Sequence, residues 1–206
     1  MEKTFYIIDD HEMLRTGTAS YIESHSGWKC RGNSGEGDAA LAEFAQLAAA
    51  GTELPAVIIC DLNFYGEDSG FDLIRRIRRL YPQQKIVVYS MFFAPGIVQN
   101  AMHEGAGGYV SKIASCDELL QCMEAVFAGG TFIQSGLQER LEQFNSFADA
   151  LTRREKEVME LLVRRIGNEQ IAQLLGLKRR AVENYISSIY DKTGIKDRAE
   201  LVHRFG

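Results

Sequence analysis

Four short apolar runs in the first half of the chain each end on a side chain that can handle phosphate. Phe5-Tyr6-Ile7-Ile8 ends on Asp9-Asp10, Val57-Ile58-Ile59-Cys60 on Asp61, Ile86-Val87-Val88-Tyr89 on Ser90, and Tyr109-Val110-Ser111 on Lys112. In an open parallel α/β sheet, ligands bind in the crevice beyond the carboxyl ends of the strands. Three carboxylates, a hydroxyl and an ammonium would converge there, and the chemistry that fits them is phosphorylation of an aspartate around a divalent cation. One acid at a strand end is usually a helix cap or a surface charge. Five suitably typed positions at four strand ends rarely coincide by chance.

The elements that must position these groups follow from hydrophobic period. After the first strand, Leu14, Ala19, Tyr21 and Ile22 recur near helical spacing, Trp28-Lys29-Cys30 reads as a short strand, and Ala39 to Ala50 as an Ala-rich helix. The strand ending at Cys60 gives way to a helix marked by Phe71, Leu73, Ile74, Ile77 and Leu80 and stopped by Tyr81-Pro82, because a residue before proline resists helical geometry. Strand 86–90 leads through Pro95 into helix 96–104. Gly105-Ala106-Gly107-Gly108 breaks to a last strand at 109–111, and a final helix runs over 116–128. Five strand–helix units with short loops predict an α/β, doubly wound, five-stranded parallel sheet. Residues 131–150 lack a sustained period and read as a linker, partly helical. From 151 the period is helical: Thr152-x-x-Glu155 is a capping box before Val158, Leu161 and Leu162. The domains are therefore expected at 1–130 and 151–206, the second a small all-α unit.

Charge separates the two parts. Residues 1–150 hold 11 Lys/Arg against 20 Asp/Glu, and residues 151–206 hold 12 against 8. The acidic front and mildly basic tail hint at nucleic acid for the tail. No apolar run approaches the roughly 18 residues of a membrane span and no secretory leader is visible, so a cytoplasmic protein without membrane contact is expected. Cys30, Cys60, Cys116 and Cys122 have no zinc-ligand spacing with each other or with His11, His25, His103 and His203, which predicts reduced, mostly buried thiols. Gly32-Asn33-Ser34-Gly35-Glu36-Gly37-Asp38 has the wrong order and too many acids for a dinucleotide loop and reads as a turn before a helix.

In the tail, Ile171, Leu174 and Leu175 share one helix face, Gly176 permits a tight turn, and Val182, Tyr185, Ile186 and Ile189 form the buried face of the next helix. The opposite face displays Arg179, Arg180, Glu183, Asn184, Ser187 and Asp191. It suits a recognition helix in a major groove, where Arg reads guanine, Asn reads adenine and Glu can accept from cytosine. Lys178 and other scattered cations could touch phosphates. A charged helical face also fits a protein-interaction module.

Residues 1–130 resemble the receiver domain of bacterial response regulators, a flavodoxin-like fold, with Asp9-Asp10-His11, Asp61, Ser90, Tyr109 and Lys112 in the family's order and spacing. Residues 151–204 resemble the LuxR-type helix-turn-helix of the NarL/FixJ group. The resemblance rests on Leu151-Thr152-x-Arg154-Glu155, Asn168-x-x-Ile171-Ala172, Val182-x-Asn184, Lys192-x-Gly194-Ile195 and Arg198-Ala199-Glu200-Leu201. It implies a phosphorylation-regulated transcription regulator, not an enzyme. Asp61 is then the acceptor of a phosphoryl group from a histidine kinase, and Asp9, Asp10, Asp61 and the backbone carbonyl of Asn63 hold Mg2+. Ser90, Tyr109 and Lys112 stabilise and report the phosphoryl group, Tyr109 by swinging inward as Ser90 moves. Lys178, Arg179, Arg180, Glu183, Asn184 and Ser187 contact promoter DNA, which the active protein binds as a homodimer. The chain departs from the family's pattern at Met91, where a small residue is usual, at Ile113, where proline is usual, and in a longer loop after Asp61. At Glu183 the family often has Lys. Two other readings are a phospho-switch whose tail binds a protein, and a phosphatase working through an aspartyl intermediate. The second is weakened by Asn63, because that position, two residues past Asp61, would need an acid or base.

Overall fold

The computed structural model describes residues 2–63, 70–92 and 94–205, the side chains at 143–148 and 203–205 excepted. It divides into two compact units, the first made mostly of residues up to Gln134 and the second mostly of residues from Ser135 on.

In the first unit the strands are β1 (Thr4–Ile8), β2 (Lys29–Ser34), β3 (Val57–Cys60), β4 (Lys85–Ser90), β5 (Gly108–Ser111) and β6 (Phe132–Ile133). They form one sheet in the order β2-β1-β3-β4-β5-β6, with every neighbouring pair parallel. The helices are α1 (Glu12–His25), α2 (Gly37–Ala49), α3 (Gly70–Leu80), α4 (Pro95–His103) and α5 (Cys116–Phe127). Central strands β1, β3 and β5 are buried at every residue, as expected for parallel strands covered on both faces. On one face Phe5, Ile7, Val57, Ile59, Val87 and Val110 join Ile22 of α1 and Leu119, Met123 and Val126 of α5 in a single core. On the other, Tyr6 packs edge to face on Phe44 of α2 with ring centroids 5.0 Å apart, and Leu73, Ile74 and Ile77 of α3 are buried.

The doubly wound sheet is as expected, with one correction: it has six strands and not five. Phe132 pairs with Gly108 and Ile133 with Tyr109. Two residues are too few to give a hydrophobic period, so this strand is invisible without its partner. α6 (Ser135–Asp149) follows, so a strand and a helix occupy most of residues 131–150. The Gly-rich stretch is only in part the expected turn before a helix, since Gly35 and Glu36 bend into α2 but the residues before them are strand. Gly32, Asn33 and Ser34 belong to β2, and the register shifts between Phe5↔Cys30 and Tyr6↔Gly32, leaving Arg31 as the extra residue of a bulge. Gly32 has φ +155°, and a Cβ there would meet the Tyr6 ring at 2.8 Å. The four cysteines are free thiols, Cys60 and Cys122 buried and Cys30 and Cys116 partly so. Among the described residues no helix is long and apolar enough to cross a membrane.

The second unit holds α7 (Arg153–Val163), α8 (Asn168–Leu175), α9 (Arg179–Thr193) and α10 (Arg198–Phe205). Its core joins Val158 and Leu162 of α7, Ile171 of α8, Val182 and Ile189 of α9, and Leu201 of α10. α8 ends on Gly176 in the left-handed conformation (φ 64°), which lets the chain turn into α9 at little strain. The capping box is present: the Thr152 hydroxyl accepts from the Glu155 amide, and Glu155 Oε2 accepts from the Thr152 amide at 2.6 Å. Glu155 does more than cap. Buried at 3 % exposure, it accepts from Ser188 Oγ at 2.6 Å and from Lys192 Nζ at 2.8 Å, tying the start of α7 to the end of α9.

Hydrogen bonds from Lys192 and Ser188, with smaller help from Thr152 and against the opposing effect of burial, hold the Glu155 carboxyl down at about 2. A depressed carboxyl contributes stability that is complete above its unfolded value, about 4.3, and is lost as the pH falls toward 2. Hydrogen exchange localised to α7 and α9 of the full chain should therefore show protection falling between these values. Glu155→Gln should cost roughly 2 kcal/mol at neutral pH and flatten that acid dependence; an unchanged acid slope in the variant would refute the assignment.

Candidate functional site

The chain order of the sheet reverses between β1 and β3, so the crevice beyond their carboxyl ends is the topological switch point. Asp9 follows β1 and Asp61 follows β3, both almost fully buried. The backbone holds them there, because Asp9 N–H donates to Ser34 O at 3.1 Å and Asp61 N–H to Ile8 O at 2.9 Å. Gly70 opens α3 against the same backbone: its N–H donates to Leu62 O at 3.1 Å, and a Cβ would lie 2.4 Å from Asp61 O. Only glycine lets the chain return this close to Asp61.

Lys112 comes from the end of β5 and reaches both acids. Its Nζ lies 2.6 Å from Asp61 Oδ2 and 2.7 Å from Asp9 Oδ2, with the lysine side chain 5 % exposed. Burial alone would lower the lysine's proton affinity, but hydrogen bonds and charge from Asp61 and Asp9 outweigh it and hold the ammonium above its ordinary range. The remaining oxygens are partly used: Asp9 Oδ1 accepts from the His11 amide at 2.9 Å and Asp61 Oδ1 from the Leu62 amide at 2.6 Å. Asp10 differs. Its side chain is 7 % exposed, yet neither oxygen accepts a hydrogen bond. His11 Nδ1 stands 2.7 Å from Asp10 Oδ1, a close contact without hydrogen-bond alignment. Asp10 is thus a buried carboxylate without a donor.

Ser90 and Tyr109 complete the crevice from β4 and β5. Ser90 is fully buried, and its Oγ accepts a long 3.4 Å bond from the Phe92 amide. Tyr109 is also buried, and its hydroxyl donates to Phe92 O at 2.6 Å, so the ring lies inside. Burial and the Asp61 charge push the Tyr109 hydroxyl well above its usual range, the Ser90 hydroxyl acting weakly the other way. All the candidate acids, the hydroxyl and the lysine meet at these strand ends. Asn63 is exposed beyond Asp61, and the rest of the loop, 64–69, lies outside the described residues. Met91 is 55 % exposed and Ile113 69 % exposed, so both atypical side chains face solvent.

Sequence reasoning gave no role to three residues at this crevice. Arg15, one turn into α1, donates to Asp9 O at 2.6 Å and to Asn33 Oδ1 at 3.0 Å. Gln134, just past β6, accepts from the Ser111 amide at 3.0 Å and so braces the strand that carries Lys112. His11 sits against Asp10. The Arg15 spacing, four residues after His11, is a signal for contact only once a helix is known to start there; Gln134 gave none.

In the second unit, the expected reading face is the exposed face of α9. Arg179, Arg180, Glu183, Asn184, Ser187 and Asp191 are exposed together with Lys178, while Val182 and Ile189 are buried. Arg179 Nε lies 2.9 Å from Glu183 Oε1, so the unusual acid is ion-paired on its own helix.

Comparison with known proteins divides the chain in the same way. Residues 5–124 match the response regulator receiver domain, and residues 149–205 match the luxR family of bacterial regulatory proteins. The transcriptional activator protein ExaE of Pseudomonas putida is 32 % identical over 206 residues, covering 96 % of this chain and 92 % of its own. The transcriptional regulatory protein MctR of Rhizobium johnstonii is 30 % identical over 198 residues, covering 95 % and 89 %. Among solved structures, RcsB from Salmonella enterica serovar Typhimurium, bound to promoter P1flhDC in the presence of phosphomimetic BeF3−, superposes with a TM-score of 0.71 at 22 % identity. That match covers 99 % of this chain and 98 % of RcsB.

A buried carboxylate without a donor, beside two further acids, destabilises the fold. Asp10→Asn should raise the unfolding free energy in metal-free buffer by about 1–2 kcal/mol. Urea denaturation checks this, and a fall in stability would mean that Asp10 is compensated by something else.

Proposed function

The chain belongs to the response regulators that join a receiver domain to a LuxR-type helix-turn-helix, and on that premise we propose that phosphorylation of Asp61 by a histidine kinase controls promoter binding through α9. The observation that carries this reading is the buried Lys112 ammonium between the Asp61 and Asp9 carboxylates, beside the unpartnered Asp10.

In the transfer, an Asp61 carboxylate oxygen attacks the phosphorus of a phosphohistidine. A P–O bond forms as the P–N bond breaks, and the imidazole leaves with the electron pair of that bond. Lys112 offsets charge on the phosphoryl oxygens, and Ser90 donates its hydroxyl to one of them. Mg2+ suits the oxygen-rich donor set of Asp9, Asp10, Asp61 and the Asn63 carbonyl, and the Asp10 oxygens need such a partner. When bound, the ion supplies further compensation for the phosphoryl charge. Tyr109, already buried with its hydroxyl on Phe92 O, couples the Ser90 position to the surface beyond β4 and β5.

At the tail, Arg180 and Asn184 are exposed to read base edges, and Lys178 to touch phosphate. The protein acts as a cytoplasmic homodimer on double-stranded DNA. The RcsB structures, one of which describes two RcsB dimers bound to two parallel DNAs, support this by analogy. The shift between two states requires only that phosphate favour one of them by a few kcal/mol.

Acetyl phosphate with Mg2+ should add one phosphoryl group to the full chain, seen by mass, and none to Asp61→Asn. Phosphorylation should also tighten DNA binding, with log affinity falling against log salt at a slope of roughly several units. An adduct that persists in Asp61→Asn relocates the acceptor. Binding without salt dependence would assign the tail to a protein partner instead.

A further inference from the structure

We propose that the cation site of this chain includes a nitrogen donor, the His11 imidazole, and therefore favours first-row transition ions such as Mn2+ over Mg2+. The inference rests on the reading of the acid crevice as a cation site and adds to it a ligand and a selectivity. Lys112 occupies the Oδ2 atoms of Asp9 and Asp61, which leaves for an ion the Oδ1 atoms of both, each already accepting from one backbone amide, and both Asp10 oxygens. His11 Nδ1 stands against two of these atoms, 2.7 Å from Asp10 Oδ1 and 3.4 Å from Asp9 Oδ1. Around an octahedral ion with ligands at roughly 2.0–2.1 Å, adjacent donors are about 2.9–3.0 Å apart. The two separations bracket that edge. One ligand atom from each of Asp9, Asp10 and His11 falls within 4.8 Å of the others.

The backbone holds the His11 main chain beside Asp9. His11 N–H donates to Asp9 Oδ1 at 2.9 Å, and its carbonyl accepts from the Arg15 amide at 3.0 Å, where α1 begins. The side chain is 54 % exposed, so an ion arriving from solvent meets the imidazole as it reaches Asp10. Carboxylate and carbonyl oxygens suit Mg2+, whereas imidazole raises affinity along the series from Mn2+ to Cu2+ and for Zn2+.

Pulsed electron paramagnetic resonance of the full chain loaded with Mn2+ tests this, with Mg2+ competition alongside. Imidazole nitrogen coupling should be present in the wild type and absent in His11→Asn, a substitution that puts a favourable N-cap residue at the start of α1. The preference for Mn2+ over Mg2+ should fall on the order of tenfold in that variant. Asp10→Asn, which retains the histidine, should lose the bound ion while its far-ultraviolet circular dichroism stays unchanged. Mn2+ bound without nitrogen coupling overturns the histidine ligand alone and leaves the cation site standing. Failure of both Mn2+ and Mg2+ to bind overturns the cation reading together with it. Nitrogen coupling that survives in Asp10→Asn would place the ion elsewhere and also refute the proposal.

Discussion

The Lys112 ammonium spans the Asp61 and Asp9 carboxylates at 2.6 and 2.7 Å, and the strand ends of the first unit are arranged around that contact. β5 and β3 are two strand spacings apart, roughly 9–10 Å, and the lysine crosses the end of β4 to close the distance. Its own amide is held by Ser90 O at 2.9 Å, so the backbone aims the side chain before the charges meet. One ammonium faces three acids, however. Two are neutralised in part, while Asp10 is left without a donor, an imbalance that is costly to the fold and that the proposed cation and phosphoryl group would relieve. Gly70 and Gln134 serve this geometry from outside, one by clearing space at Asp61 O and the other by bracing Ser111.

The second unit solves a comparable problem in the opposite sense. Glu155 is a buried carboxylate supplied with donors from Thr152, Ser188 and Lys192, so its charge holds α7 against α9 without needing an external partner. This fixes the helix that carries the exposed polar face. On that face, the Arg179–Glu183 pair offsets one positive charge and restrains Arg179, one of the two arginines of the proposed base-reading face. Exposed i, i+4 pairs are weak, on the order of 0.3–0.5 kcal/mol, so phosphate or a base edge can compete for Arg179.

Sequence pattern was sufficient where one residue type repeated at a period or capped an element. The buried runs of β1, β3, β4 and β5 are continuous and apolar, Thr152 and Glu155 stand at capping-box spacing, and the chemistry-bearing residues sit at strand ends, where parallel topology gathers them. What stayed hidden depended on partners distant in the chain. β6 is two residues long and exists through Gly108 and Tyr109. At the β2 bulge, Gly32 lies where a Cβ would strike the Tyr6 ring, a contact 26 residues away in sequence. The Glu155–Lys192 link spans 37 positions and does not declare itself, since a charge does not name a partner so far away.

Lys112 is the charge that makes a buried cluster of acids compatible with folding. Unfolding of Lys112→Met in urea, in chelator and again in excess Mg2+, tests that most directly. Loss of the ammonium should cost about 3 kcal/mol in chelator, and Mg2+ should restore more of the variant's stability than it adds to the wild type. Equal stability of variant and wild type in chelator would contradict the account.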